Sequence, residues 1–79
     1  MKLSIIVPVY NLEKYIAATL LSIRFSYDYE IVVINDGSTD DSESIIRGYQ
    51  RTHGQIVLYS IENQGVSNAR NFGISKAKG

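Results

Sequence analysis

The chain has no cysteine, no tryptophan, one proline, one histidine and no net charge among its 79 residues. Without cysteine there is no disulfide framework and no thiolate metal site, and a reducing compartment, the cytoplasm, is the expected setting. Eight basic residues cancel eight acidic ones, so the long-range pull toward phosphate backbones or anionic membranes is missing and no nucleic-acid partner is expected. Long apolar runs are also missing. The N-terminal run from Leu3 to Val9 is interrupted by Pro8, too short for a membrane span and without the small-residue cleavage pattern of a signal peptide. There is no internal repeat, low-complexity tract or flexible linker, and the length excludes a second domain. A chain this short buries only about 60% of the surface that its unfolded form exposes, so its core is thin and a partner or a further segment is expected to complete it.

What is present is an ordered alternation. Leu3 to Val7 is a β-branched run of the kind covered on both faces of a sheet, and Pro8 is expected to stop it. Leu12, Tyr15, Ile16, Thr19, Leu20 and Ile23 then recur at helical spacing, with Asn11 as the expected N-cap, Glu13 in the first turn and Arg24 near the end. Glu30 to Ile34 reads as a second strand, followed by the polar loop Asn35 to Thr39. Ser38, three residues before Asp41, resembles a capping box, and Ile45, Ile46 and Tyr49 form a helical stripe that stops around His53 and Gly54. Gln55 to Ile61 is a third strand. After a loop at Asn63, Gln64 and Gly65, Val66 to Lys78 reads as a third helix with Val66, Ala69, Phe72, Gly73 and Ala77 turned inward. The order βαβαβα predicts an α/β fold of three layers with a parallel sheet, and ligands beyond the carboxyl ends of its strands.

Three loops converge there. The first, Pro8 to Asn11, has none of the glycines that let a backbone wrap a pyrophosphate, so the dinucleotide and phosphate-loop fingerprints are absent. It offers the Tyr10 ring, able to stack on a flat base or simply to cover the core edge. The second loop offers Asp36, a carboxylate able to accept hydrogen bonds from a base N–H or a ribose hydroxyl. Asp40 and Asp41 fall at a helix start, where the dipole favours acids without any ligand, so they are read as structural and not as a metal site. The third places Arg70 early in a helix. A cation opposes the dipole there, which is better explained by a nearby anion such as a diphosphate than by a surface pair with Glu62. The lone His53 reads as a helix terminus and not as a catalytic base.

Taken together, Ser4-Ile5-Ile6-Val7-Pro8-Val9-Tyr10-Asn11, Val32-Val33-Ile34-Asn35-Asp36-Gly37-Ser38-Thr39-Asp40 and Asn63-Gln64-Gly65-Val66-Ser67-Asn68-Ala69-Arg70-Asn71-Phe72-Gly73-Ile74 closely resemble the amino-terminal part of family 2 glycosyltransferases. The resemblance implies the nucleotide-binding half of a GT-A fold, holding a sugar nucleotide, usually a UDP-sugar. It carries Tyr10 onto the residue that flanks the base, Pro8 and Val9 onto the lining of its pocket, Asp36 onto the aspartate that binds the base, and Arg70 onto a basic residue near the diphosphate. Asn35 departs from the second acid of many relatives. The resemblance also implies, further along the parent, an Asp-x-Asp segment for divalent manganese or magnesium and a base that activates a glycan or lipid-linked acceptor. Neither is found in these residues. The chain is therefore expected to be a fragment, without a bound metal or catalytic residue of its own, from an inverting enzyme of the cytoplasm or its membrane face. The other reading is a non-catalytic parallel-sheet module that self-associates, and in either case a homodimer through strand one is expected, because that edge would be left open.

Overall fold

The structure, a computed structural model, describes residues 3–23, 28–63 and 65–77. Six elements alternate: β1 (Leu3–Val9), α1 (Ile16–Ser22), β2 (Tyr29–Asp36), α2 (Ser42–Gln50), β3 (Ile56–Ile61) and α3 (Val66–Lys76). The strands form one parallel sheet in the order β1-β2-β3, with Ile5 opposite Ile31 and Val33 opposite Leu58. The central strand β2 is buried along nearly its whole length, as its unbroken β-branched run requires.

Side-chain alternation divides β2 between two cores. Ile31 and Val33 meet Val9, Ile16, Leu20, Ile46 and Ile56 on the α1 and α2 side, while Val32 and Ile34 meet Ala69, Ile6 and Phe72 on the α3 side. Each fully buried Ile or Val removes apolar area worth roughly 1.5–3 kcal/mol from water. The sheet is thus covered on both faces, and the expected three-layer α/β architecture is the one observed. Among the described residues, no helix is long and apolar enough to cross a membrane.

Several boundaries differ from the sequence reading. Strand β1 runs through Pro8 to Val9, with Pro8 beside Ile34, because β1 lies at the sheet edge and the missing proline N–H costs no ladder bond on its open side. Strand β2 runs on through Asn35 and Asp36, which pair in register with β3, so these polar residues belong to the strand and not to the loop. Helix α1 starts only at Ile16. Residues 12–15 form a turn in which the Leu12 carbonyl accepts from the N–H groups of Tyr15 and Ile16, and Tyr15, expected inward, is 65% exposed. Thr19 is exposed as well. Asn11 does not cap α1, and neither Ser38 nor Asp41 caps α2 through its side chain. On α3, Ala69 and Gly73 are buried as expected, whereas Val66 is 58% exposed because it stands at the open end of the helix over a cleft. The expectations for Arg24, Gln64 and Lys78 lie outside the described residues.

Candidate functional site

The carboxyl ends of β1 and β2 and the start of α3 enclose a cleft of about 300 Å³ lined by Pro8, Val9, Tyr10, Asp36, Asn63, Gly65 and Val66. Four of the five residues singled out in the sequence, Pro8, Val9, Tyr10 and Asp36, therefore line one cavity. Each arrives there for a local reason. Val9 ends β1 as a core residue, which leaves the following Tyr10 outside the sheet, 48% exposed, with its ring available at the rim. Asp36 ends β2 almost fully buried, at 3% exposure, and its Oδ2 accepts a hydrogen bond from the Gly65 N–H at 3.0 Å. That bond ties the sheet to the first turn of α3.

Arg70 does not line the cleft. It is exposed on α3 and makes no ion pair with Glu62 among the described residues. It stands four residues after Val66, and so on the same side of the helix, one turn beyond the cleft wall. Asn63, Gly65 and Val66 complete the wall; the sequence reading takes Asn63 and Gly65 only as parts of a loop and Val66 as a core position. Gly65, with φ +90, holds the backbone angle that turns its N–H toward Asp36.

Gly37 sits where the second and third loops meet. Its φ is +71, and a side chain there would meet the Asn63 backbone nitrogen at 2.8 Å and the Asn63 Cβ at 3.0 Å. Only glycine lets the two loops approach this closely.

Behind the cleft, Glu43 on α2 gathers three donors. Its Oε1 accepts from the Ser60 hydroxyl at 2.7 Å and the Asn35 amide at 3.0 Å, and its Oε2 from the Arg47 guanidinium at 3.1 Å. These bonds, led by Ser60 and followed by Arg47 and Asn35, outweigh desolvation and hold the Glu43 carboxyl below its ordinary value. Asn35 in turn accepts the Ser38 N–H at 3.2 Å, which bends the chain just after Asp36. An aspartate in its place could not donate to Glu43. Asp40 is also held low: desolvation raises it, but hydrogen bonds from the Ser42 side chain and N–H, from the Glu13 N–H and from its own N–H prevail.

No group of three or more His, Asp or Glu side chains able to hold a metal ion occurs among the described residues. Asp41 makes no side-chain cap on α2, and Asp40 accepts from the Ser42 N–H and, across the loops, from the Glu13 N–H. The residues present therefore do not fit the divalent metal that the sequence resemblance implies. His53, exposed beyond the end of α2, contacts Thr52 and the Tyr49 carbonyl and stands far along the chain from the cleft.

What the arrangement can do is bind a flat, hydrogen-bonding ligand: an aromatic ring at the rim, a buried carboxylate at the base and an apolar floor of Pro8 and Val9. Comparison with known proteins bears on the family of the chain. The chain is 42% identical over 80 residues to the glycosyltransferase GlyA of Streptococcus pneumoniae, covering 99% of this chain and 12% of that protein. It is 38% identical over 78 residues to the minor teichoic acid biosynthesis protein GgaA of Bacillus subtilis, covering 91% of this chain and 18% of that one. The crystal structure of S. aureus TarS 1-349 superposes with a TM-score of 0.84 at 35% identity, over all of this chain and 25% of TarS. The chain thus spans between about an eighth and a quarter of these relatives. The family model for glycosyl transferase family 2 matches residues 4–79, and the chain belongs to that family.

Proposed function

We propose that the cleft binds the nucleotide of a sugar-nucleotide donor, a UDP-sugar, and that residues 1–79 form the nucleotide-binding part of an inverting glycosyltransferase. The observation that carries this reading is the convergence of the Tyr10 ring and the buried Asp36 carboxylate on one cleft at the carboxyl ends of adjacent parallel strands. Tyr10 stacks on the base, Asp36 accepts its N–H, and Pro8 and Val9 exclude water beneath it. Arg70, one helical turn past Val66, extends its flexible side chain toward the diphosphate.

In the reaction of the whole enzyme, an acceptor hydroxyl attacks the anomeric carbon from the side opposite the nucleotide. The bond to the diphosphate breaks, its electron pair leaves with the nucleotide, and the acceptor proton passes to a base. The residues described here bind and orient the donor. The acceptor, a glycan or a lipid-linked sugar, and the base belong to other parts of an enzyme several times this length, as the small coverage of the relatives suggests. Purified residues 1–79 are expected to show no sugar transfer, and the lack of cysteine is the reason for placing the reaction in the cytoplasm.

Calorimetric titration of UDP into the chain and into Asp36→Ala tests the assignment. Weaker or lost binding in the variant is expected, and equal, measurable binding by both overturns it.

One observation favours a second property. Strand β1 is an edge strand with an exposed Leu3, and its outer side is unpaired among the described residues. Such an edge recruits another chain, so a homodimer joined along β1 is proposed. Sedimentation at micromolar concentrations checks it, and a monomer unaffected by Ile5→Lys contradicts it.

A further inference from the structure

The segments that follow Tyr10 and Asp36 exchange caps. Asn11, immediately after Tyr10, accepts through its Oδ1 from the Thr39 N–H at 2.8 Å, the Asp40 N–H at 3.3 Å and the Thr39 hydroxyl at 3.4 Å. In return, the N–H groups that open the turn before α1 are taken by side chains of the other loop. The Asn11 N–H donates to Ser38 Oγ at 3.1 Å, the Leu12 N–H to Ser42 Oγ at 2.9 Å, and the Glu13 N–H to Asp40 Oδ2 at 3.1 Å. Each segment thus satisfies backbone groups that the other leaves open, where a local N-cap would have served only its own helix. Ser42 is fully buried at this joint, so its bond is shielded from water.

Asn11 is the centre of the exchange and does not line the cleft. Its φ is +51, an angle that asparagine tolerates better than almost any other residue with a side chain, and its oxygen accepts without carrying charge. A carboxylate in its place would stand against Asp40, which is itself held in the ionised form by the same joint. Alanine would lose the acceptor and strain the backbone.

We infer that Asn11 is a positioning residue for donor binding: by clasping the first loop to the second it fixes the distance between the Tyr10 ring and the Asp36 carboxylate. The inference rests on the nucleotide reading of the cleft. The clasp acts through preorganisation, since loops already held in their binding arrangement lose less freedom when a ligand arrives.

The test compares Asn11→Gly, which keeps the positive φ and deletes the acceptor, with Asn11→Asp, which keeps an acceptor. Ile46→Val serves as a control that thins the core under α2 without touching the clasp. UDP affinity is measured by calorimetry, and amide hydrogen exchange is followed at Thr39, Asp40 and Gly65. Asn11→Gly is expected to weaken UDP binding about tenfold, the equivalent of one or two hydrogen bonds. Asn11→Asp should recover part of that loss, and Ile46→Val should bind as the wild type does. An unchanged affinity in Asn11→Gly, or an equal loss in Ile46→Val, overturns the inference. Should the wild type take no UDP, the nucleotide reading falls, and exchange alone judges the clasp. Faster exchange in Asn11→Gly that spreads from Thr39 and Asp40 to Gly65, whose N–H reports the position of Asp36, supports it; loss confined to Thr39 and Asp40 overturns it.

Discussion

On the β1 side of the cleft the loops are joined by polar side chains, Asn11, Ser38, Asp40 and Ser42, each accepting a backbone N–H from the opposite segment. On the α3 side the joints depend on side chains that are missing. Gly37 lets the Asn63 backbone close in, and Gly73 lets α3 settle on Ile6 and Ile34, where an added Cβ would meet Ile6 Cγ2 at 2.6 Å. The exposed bonds of the first joint, those accepted by Asn11, Ser38 and Asp40, can be lost to water, whereas the one accepted by Ser42 is buried. The second has nowhere to put an added carbon, because packed interiors yield only by shifting backbone or forcing rotamers.

The contrast orders the expected effects of substitution. Gly37→Ala comes first: a left-handed backbone angle and an overlap with backbone atoms together cost about 2–4 kcal/mol. Urea denaturation should show a large fall in midpoint. Gly73→Ala follows, losing roughly 1–3 kcal/mol to overpacking against Ile6, less the helix propensity gained. Its counterpart on the other face is Gly48 of α2, where an added Cβ meets nothing within 4 Å. Gly48→Ala is expected to stabilise by about 0.5–1 kcal/mol, so the same exchange of residue reverses sign between the two helices.

Ser42→Ala, at the polar joint, leaves the Leu12 N–H without its acceptor at a buried position and should cost about 1–2 kcal/mol. The smallest effect belongs to acid. The carboxyls of Glu43 and Asp40 lie below their ordinary values in the folded chain, so the folded state binds fewer protons than the unfolded one as pH falls. Their contribution is complete above the ordinary carboxylate range and drains away below about pH 4, as the depressed folded values are crossed. The Glu43 side chain is 40% exposed, so solvent screening limits its share to about 0.5 kcal/mol. The urea midpoints of Glu43→Gln and the wild type should differ at neutral pH and converge in acid.

The two sides of the cleft also differ in how far they can be read from sequence. The three strands, the parallel order and the placing of Tyr10 and Asp36 at strand ends follow from β-branched runs that end in polar loops, a local pattern, while Pro8 and Val9 enter as lining residues through the family resemblance. The clasp does not. Asn11 and Ser38 have the composition of local N-caps, and propensity assigns each to its own helix, whereas their partners lie 27 to 29 residues away. The helix start expected at Leu12 is not observed either: after Asn11, at φ +51, residues 12–15 close a turn on the Leu12 carbonyl before α1 begins at Ile16. Val66 is misplaced because helical periodicity cannot tell a core position from the rim of a cavity. Gly37 and Gly73 are visible in sequence, but what approaches them is known only once the loops and the sheet are assembled.

Nuclear magnetic resonance titration of the ¹⁵N-labelled chain with UDP asks directly where a nucleotide sits. The largest amide shifts are expected at Tyr10, Asp36, Gly37 and Gly65, around the carboxyl ends of β1 and β2, with Gly54 at the opposite end of the sheet unmoved. Shifts centred on His53 and Gly54, or none at saturating UDP, would contradict the nucleotide reading of the cleft.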